Sequence, residues 1–200
     1  MGTFVVTGSA SGIGAVSAAM LSEAGHRVIG VDLHDAEIEV DLGTVPGREH
    51  AVRRALEICG GTLDGVASVA GVGPHLRSPA RSCPSTTSAP SAFSTVCARP
   101  LASSGAGHAV AISSNSASTV PLIDEERVRE LARTAQEALP AEIVEMAPSI
   151  IAYATSKLTL AQWVRATAVT PRWAREGVVL NAIAMRPDGY PTAMSMPVRV

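Results

Sequence analysis

Thr7-Gly8-Ser9-Ala10-Ser11-Gly12-Ile13-Gly14 spaces three glycines as GxxxGxG between an apolar run, Phe4 to Thr7, and a stretch from Ala15 to Ala24 with Ala15, Ala18, Ala19 and Leu21 near helical spacing. The first run reads as a parallel β-strand and the second as the helix that follows it. A glycine-rich turn at such a junction brings backbone N–H groups close to a pyrophosphate, and the positive end of the helix dipole favours the anion. Gly8, Ser11, Gly12, Ile13 and Gly14 are therefore candidate dinucleotide-binding residues.

Working outward, Arg27 to Val31 is a second apolar strand that ends in Asp32, eighteen residues after Gly14. A carboxylate there can accept hydrogen bonds from the adenosine ribose hydroxyls and repels a 2′-phosphate, which points to NAD rather than NADP. A third strand, Glu37 to Val40, ends at Asp41-Leu42, where the acid can meet the adenine amino group. Strands that alternate with helices in this way predict an α/β fold with a doubly wound parallel sheet in a single domain over 1–200.

Composition agrees with that class. The 200 residues are 46% hydrophobic and only 3% aromatic, which suits an Ala/Val/Leu-rich α/β core. A net charge of −2 supplies no basic field for nucleic acid. The chain enters its first strand at once and holds no long apolar run, so neither a leader nor a membrane segment is expected. Val6 stands where a myristoylation signal needs Ser or Thr. Cys59, Cys83 and Cys97 are odd in number and share no metal-ligand spacing with the five histidines, so no metal is expected and a reduced cytoplasm is the expected location.

The second half carries the chemistry. His108 to Ser114 is an apolar strand ending in two serines, and Tyr153-Ala154-Thr155-Ser156-Lys157 lies on a helix running through Trp163. Spacing of i, i+4 places the phenol and the ammonium on one helical face. A cation beside a phenol favours the phenolate, so Lys157 is expected to lower the pKa of Tyr153 and let it exchange a proton with an alcohol or carbonyl oxygen. Ser114 would hydrogen-bond the same oxygen.

These residues together resemble the short-chain dehydrogenase/reductase family. TGSASGIG, Asp32, Asp41-Leu42, a strand ending in Ala70-Gly71, Ser114, Tyr153, Lys157 and the strand Val178 to Ala184 match its pattern in order over most of 1–73 and 105–184. The resemblance implies a Rossmann-type fold, NAD as cofactor, and Ser114, Tyr153 and Lys157 as catalytic residues. It also implies that Lys157 holds the nicotinamide ribose. A small-molecule alcohol or ketone would be the substrate, and the family forms homo-oligomers. Ser114 and Tyr153 stand 39 residues apart, farther than in most members, and the intervening charged segment at 122–148 reads as a helical insertion. That insertion, with Asp35-Ala36-Glu37 and Gly71-Val72-Gly73-Pro74, resembles the bacterial 3α-hydroxysteroid dehydrogenase/carbonyl reductase subgroup, which implies hydroxysteroids or other carbonyl compounds.

Three stretches depart from the pattern. Residues 77–104 are rich in Ser and Pro where the fold needs a long amphipathic helix, and Pro79, Pro84, Pro90 and Pro100 argue against one, so the segment is expected to be irregular and oligomerisation weakened. Reading the third base of each codon from Ser82 onward with the first two of the next permits Val-Ser-Val-Asn-Tyr-Phe-Gly-Ala-Val, the sequence of the missing family helix with its asparagine. Two readings stay open for this segment: a flexible Ser/Pro loop, and a compensated frame shift, which the genetic code permits. Pro171 falls where the catalytic helix should still be running, and 185–200 reads as an aberrant tail without the family's lid. The competing reading is a catalytically impaired remnant that binds dinucleotide weakly or serves only as an interaction module.

Overall fold

Phe4-Val5-Val6 and Val28-Ile29 carry apolar residues on both strand faces, as a sheet covered by helices above and below requires. In the computed structural model, which describes residues 1–71, 97–120, 126 and 149–185, these runs are neighbouring strands of one parallel sheet. The strands are β1 (Thr3–Thr7), β2 (Arg27–Asp32), β3 (Ile38–Glu39), β4 (Gly65–Ser68), β5 (His108–Ser114) and β6 (Val179–Met185), in the order β3-β2-β1-β4-β5-β6. The helices are α1 (Gly12–Glu23), α2 (Val45–Cys59), the described part of α3 (97–103), α4 (Ser116–Thr119), α5 (Ser149–Ala168) and α6 (Pro171–Ala174).

The order reverses direction between β1 and β4, where Thr7 pairs with Val31 on one side and Ser68 on the other. Crossovers leave in opposite directions at such a point and open a crevice beyond the carboxyl ends of the strands. Both the glycine loop after β1 and the serines ending β5 lie at that edge.

The core is built mainly from small and β-branched side chains. Val5, Ile29 and Val31 in the sheet pack in one cluster with Ala51 and Ala55 of α2 and with Leu160 and Trp163 of α5. Helix α2 starts where Thr44 accepts a hydrogen bond from the Gly47 N–H at 3.1 Å and ends at Gly60 in the left-handed region.

Several expectations are corrected. The third strand is shorter than Glu37 to Val40, and Ala70-Gly71 follows β4 rather than ending it. Residues 97–103, inside the segment read as irregular, are helical, and Cys97, Ala98 and Leu101 are buried in the core. Pro100 is itself buried there, and its carbonyl accepts a hydrogen bond from the Leu63 N–H at 3.0 Å. Apolar burial at that site outweighs the donor that proline lacks. Pro171 is no defect: α5 ends at Ala168, Thr170 stands in extended backbone at the N-cap position of the next helix, and Pro171 takes its first turn, where a missing N–H costs nothing. Met185, assigned to the tail, is the last residue of β6 and pairs with Ser114. Residues 77–96, the insertion at 122–148 apart from the helical Glu126, and the tail from 186 lie outside the described residues.

Candidate active site

The loop after β1 is held from two sides. The Gly8 N–H donates to the Val31 carbonyl at 2.8 Å, and the Thr7 hydroxyl oxygen accepts from the Val69 and Ala70 N–H groups, each at 3.1 Å. A Cβ on Gly14 would lie 2.0 Å from the Gly8 carbonyl oxygen, so only glycine lets α1 start this close to the loop. Gly12 has a positive φ of 52° and nothing within 4 Å of where a Cβ would stand. Ser11 is the N-cap of α1, yet its side chain makes no capping hydrogen bond, and Ile13 is exposed beside it. An open glycine and an uncommitted hydroxyl at a helix N-terminus fit a pyrophosphate.

Asp32 closes the loop from β2. One carboxylate oxygen accepts from the Ala10 N–H at 2.9 Å and the other from the Leu33 N–H at 2.7 Å. A carboxylate has about four acceptor positions, so two remain for ribose hydroxyls. Asp41 is exposed, and its carboxylate accepts from the Gly43 N–H at 2.8 Å. Leu42 is placed differently from the expectation: its side chain is in the core, and its carbonyl accepts from Arg48 at 3.1 Å. Ala70 stands beside Gly8 and Gly71 is exposed, both past the end of β4.

Ser114, Tyr153 and Lys157 converge at the ends of β5 and α5. Ser114 stands near enough to the Tyr153 phenol to act on it, and the Lys157 Nζ lies 5.6 Å from the centre of the phenol ring. Lys157 is 5% exposed and donates to the Ile112 carbonyl at 2.7 Å, which points its ammonium at the sheet. Burial pulls its pKa down to about 8. Burial also raises that of Tyr153, with Ser114 opposing it. The expectation that Lys157 lowers the phenol is thus corrected: desolvation dominates, and the group that favours the phenolate is Ser114.

Three supporting hydroxyls escaped the sequence reading. Ser113 donates to the Lys157 carbonyl at 2.9 Å, Ser116 donates to the Ser114 hydroxyl oxygen at 2.9 Å, and Ser156 donates to the Tyr153 carbonyl at 2.6 Å. Clustering of serines around the Ser-Ser strand end and the Tyr-Lys helix was the available signal. Among the described residues no group of three His, Cys, Asp or Glu side chains could hold a metal, and no helix is long and apolar enough to cross a membrane.

No family model matches the chain. It is 33% identical over 191 residues to the 3-alpha-hydroxysteroid dehydrogenase/carbonyl reductase of Comamonas testosteroni, a match that covers 92% of this chain and 72% of that protein. The crystal structure of the 3-alpha-hydroxysteroid dehydrogenase from Pseudomonas sp. B-0831 complexed with NADH superposes with a TM-score of 0.78 at 36% identity, over 91% of this chain and 71% of that one. A Brucella ovis oxidoreductase of the short chain dehydrogenase/reductase family, in complex with a partially ordered NAD, shares the fold at a TM-score of 0.67 and 24% identity, over 92% of this chain and 82% of that one.

Proposed function

Since this chain belongs to the short-chain dehydrogenase/reductase family, we propose that it is an NAD-dependent oxidoreductase acting between a secondary alcohol and its ketone, with 3-hydroxysteroids or other carbonyl compounds as substrates. The observation that carries this reading is the contact of Ser114 with Tyr153, beside Lys157, at the same sheet edge as the glycine loop.

NAD, when bound, supplies the hydride acceptor or donor. Gly8, Ser11, Gly12, Ile13 and Gly14 would hold its pyrophosphate, Asp32 its adenosine ribose and Asp41 its adenine, with Ala70 and Gly71 lining the crevice. The chain's own residues manage the proton. In the oxidation direction the Tyr153 phenolate takes the proton of the substrate hydroxyl, and in reduction the phenol returns it to the carbonyl oxygen. Ser114 donates to that oxygen and fixes its position. Lys157, anchored on Ile112, places positive charge behind the phenol, where it would also reach the nicotinamide ribose.

The NADH and NAD in the two related structures support the choice of cofactor, and the Comamonas relative supports the substrate class. The test is the appearance of NADH absorbance when the protein is mixed with NAD and a panel of secondary alcohols that includes 3-hydroxysteroids. Turnover with at least one of them is expected. Binding of NAD with no turnover on any member would replace this reading with that of an inactive dinucleotide-binding protein.

A further inference from the structure

Arg48 is buried in α2. Among the described residues the ion pairs are Arg27–Glu37 and Arg54–Glu57, and Arg48 belongs to neither. A guanidinium desolvated without an ion partner costs stability, and burial pulls its pKa down against the attraction of Asp41 and Glu49. Packing alone would be served better by an apolar side chain of that length. Arg48 instead donates from Nη1 to the Leu42 carbonyl at 3.1 Å. The other end of that same peptide unit, the Gly43 N–H, donates to the Asp41 Oδ1 at 2.8 Å. We propose that Arg48 is a positioning residue for the adenine end of the dinucleotide: through the planar Leu42–Gly43 peptide it sets where the Asp41 carboxylate points.

A trans peptide is rigid, with its C=O and N–H on opposite sides, so fixing one end fixes the other. Arg48 places positive charge at the oxygen and Asp41 negative charge at the N–H, and hydrogen bonds aligned in this way polarise and strengthen one another. The remaining bonds of the turn are local to it: the Asp41 carbonyl accepts from the Thr44 N–H at 3.2 Å and from the Thr44 hydroxyl at 3.0 Å. Those bonds do not hold the Leu42–Gly43 peptide, and glycine on its far side resists rotation little. The Leu42 side chain anchors its own Cα in the core but leaves the peptide plane to Arg48. Arg48 ties that plane to a rigid frame, because Ala51, Val52 and Ala55 pin α2 in the core. A Cβ on Gly47 would lie 2.0 Å from the Asp41 carbonyl oxygen, so α2 abuts the turn directly. With Oδ1 held by Gly43, the second oxygen of the exposed Asp41 is left for the adenine amino group.

This inference rests on the assignment of Asp41 to adenine within the proposed function, but binding measures it without turnover. The probes are NAD and nicotinamide hypoxanthine dinucleotide, in which a carbonyl oxygen replaces the adenine amino donor. By calorimetry the wild type should bind NAD at least about tenfold more tightly, the weight of one hydrogen bond to a charged group. Arg48→Met, which keeps the apolar stem, should lose most of that preference, and Arg48→Gln gives the same reading should the methionine variant fold poorly. Arg48→Lys keeps a cation and a donor, enough for a single bond, and should retain the preference. With a substrate in hand, Arg48→Met should raise the KM for NAD roughly tenfold at nearly constant kcat. A mere loss of packing would weaken both dinucleotides alike and leave their ratio as it was. An unchanged ratio in Arg48→Met and Arg48→Gln overturns the proposal, as does an equal collapse in Arg48→Lys or a wild type that binds the two dinucleotides equally. A collapsed ratio in Arg48→Met, in a protein that oxidises no alcohol, would keep the role of Arg48 and defeat the proposed function instead.

Discussion

The Ser113 hydroxyl donates to the main-chain carbonyl of Lys157 across 2.9 Å, joining the strand that presents Ser114 to the helix that presents Tyr153. Both groups are buried, so the bond forms where water cannot replace it. Ser113→Ala would leave the Lys157 carbonyl without this donor and should cost about 1–3 kcal/mol of stability. Urea unfolding of the two proteins measures it. Turnover should fall as well, because the spacing between β5 and α5 sets the Ser114–Tyr153 contact.

Tyr153→Phe should reduce turnover by roughly 10²- to 10⁴-fold, the range carried by a positioned acid/base group, while NAD affinity changes little. Steady-state kinetics and cofactor titration on the same preparation separate the two effects. Retained turnover in this variant would remove Tyr153 from its role.

Asp32 should make the protein prefer NAD over NADP by at least about tenfold, since its carboxylate would face the 2′-phosphate with like charge. Cofactor titrations of the wild type and of Asp32→Ala test this. The variant should lose NAD affinity and narrow the preference, and part of the loss should come from the freed Ala10 N–H. Tighter binding of NADP by the wild type would contradict the assignment.

Lys157 should shape the dependence of stability on pH. Its pKa falls to about 8 in the fold from the ordinary lysine value of 10.5, so the unfolded chain binds the extra proton between those values. Its burial therefore destabilises the fold fully below about pH 8, and the penalty is relieved as pH rises toward 10.5. At full effect the penalty is on the order of 3 kcal/mol. The difference in unfolding free energy between wild type and Lys157→Met should change by an amount of that order from pH 7 to pH 10.5, with the wild type gaining. A pH-independent difference would show that Lys157 is not desolvated.

Much of this was legible in the sequence because the decisive patterns are local. The GxxxGxG turn, the acid ending β2 and the Tyr153–Lys157 spacing each lie within one strand-loop-helix unit, and the order of those units dictates a parallel sheet. Long-range packing was harder to read. Pro100 reads as a helix breaker in isolation, yet the burial of Cys97, Ala98 and Leu101 keeps 97–103 helical. Pro171 looks like an interruption until it is seen to open a new helix, whose first turn has no use for its missing N–H. The electrostatics were misjudged for the same reason: sequence spacing places an ammonium near a phenol, but only the folded chain shows that both are desolvated and that the ammonium bonds Ile112. The serines at 113 and 116 were legible only as part of a serine cluster, because the role of each depends on the pairing of β5 with α5 and on the turn into α4.

The central claim, that this chain transfers hydride from a secondary alcohol to NAD with Tyr153 as the base, is tested most directly by isotope transfer. The protein is incubated with NAD and a 3-hydroxysteroid deuterated at the carbinol carbon, and the reduced nicotinamide is examined by mass spectrometry. The account predicts one deuterium in the NADH formed by the wild type and none above background with Tyr153→Phe. Label-free NADH, or equal label transfer by the two proteins, would contradict it.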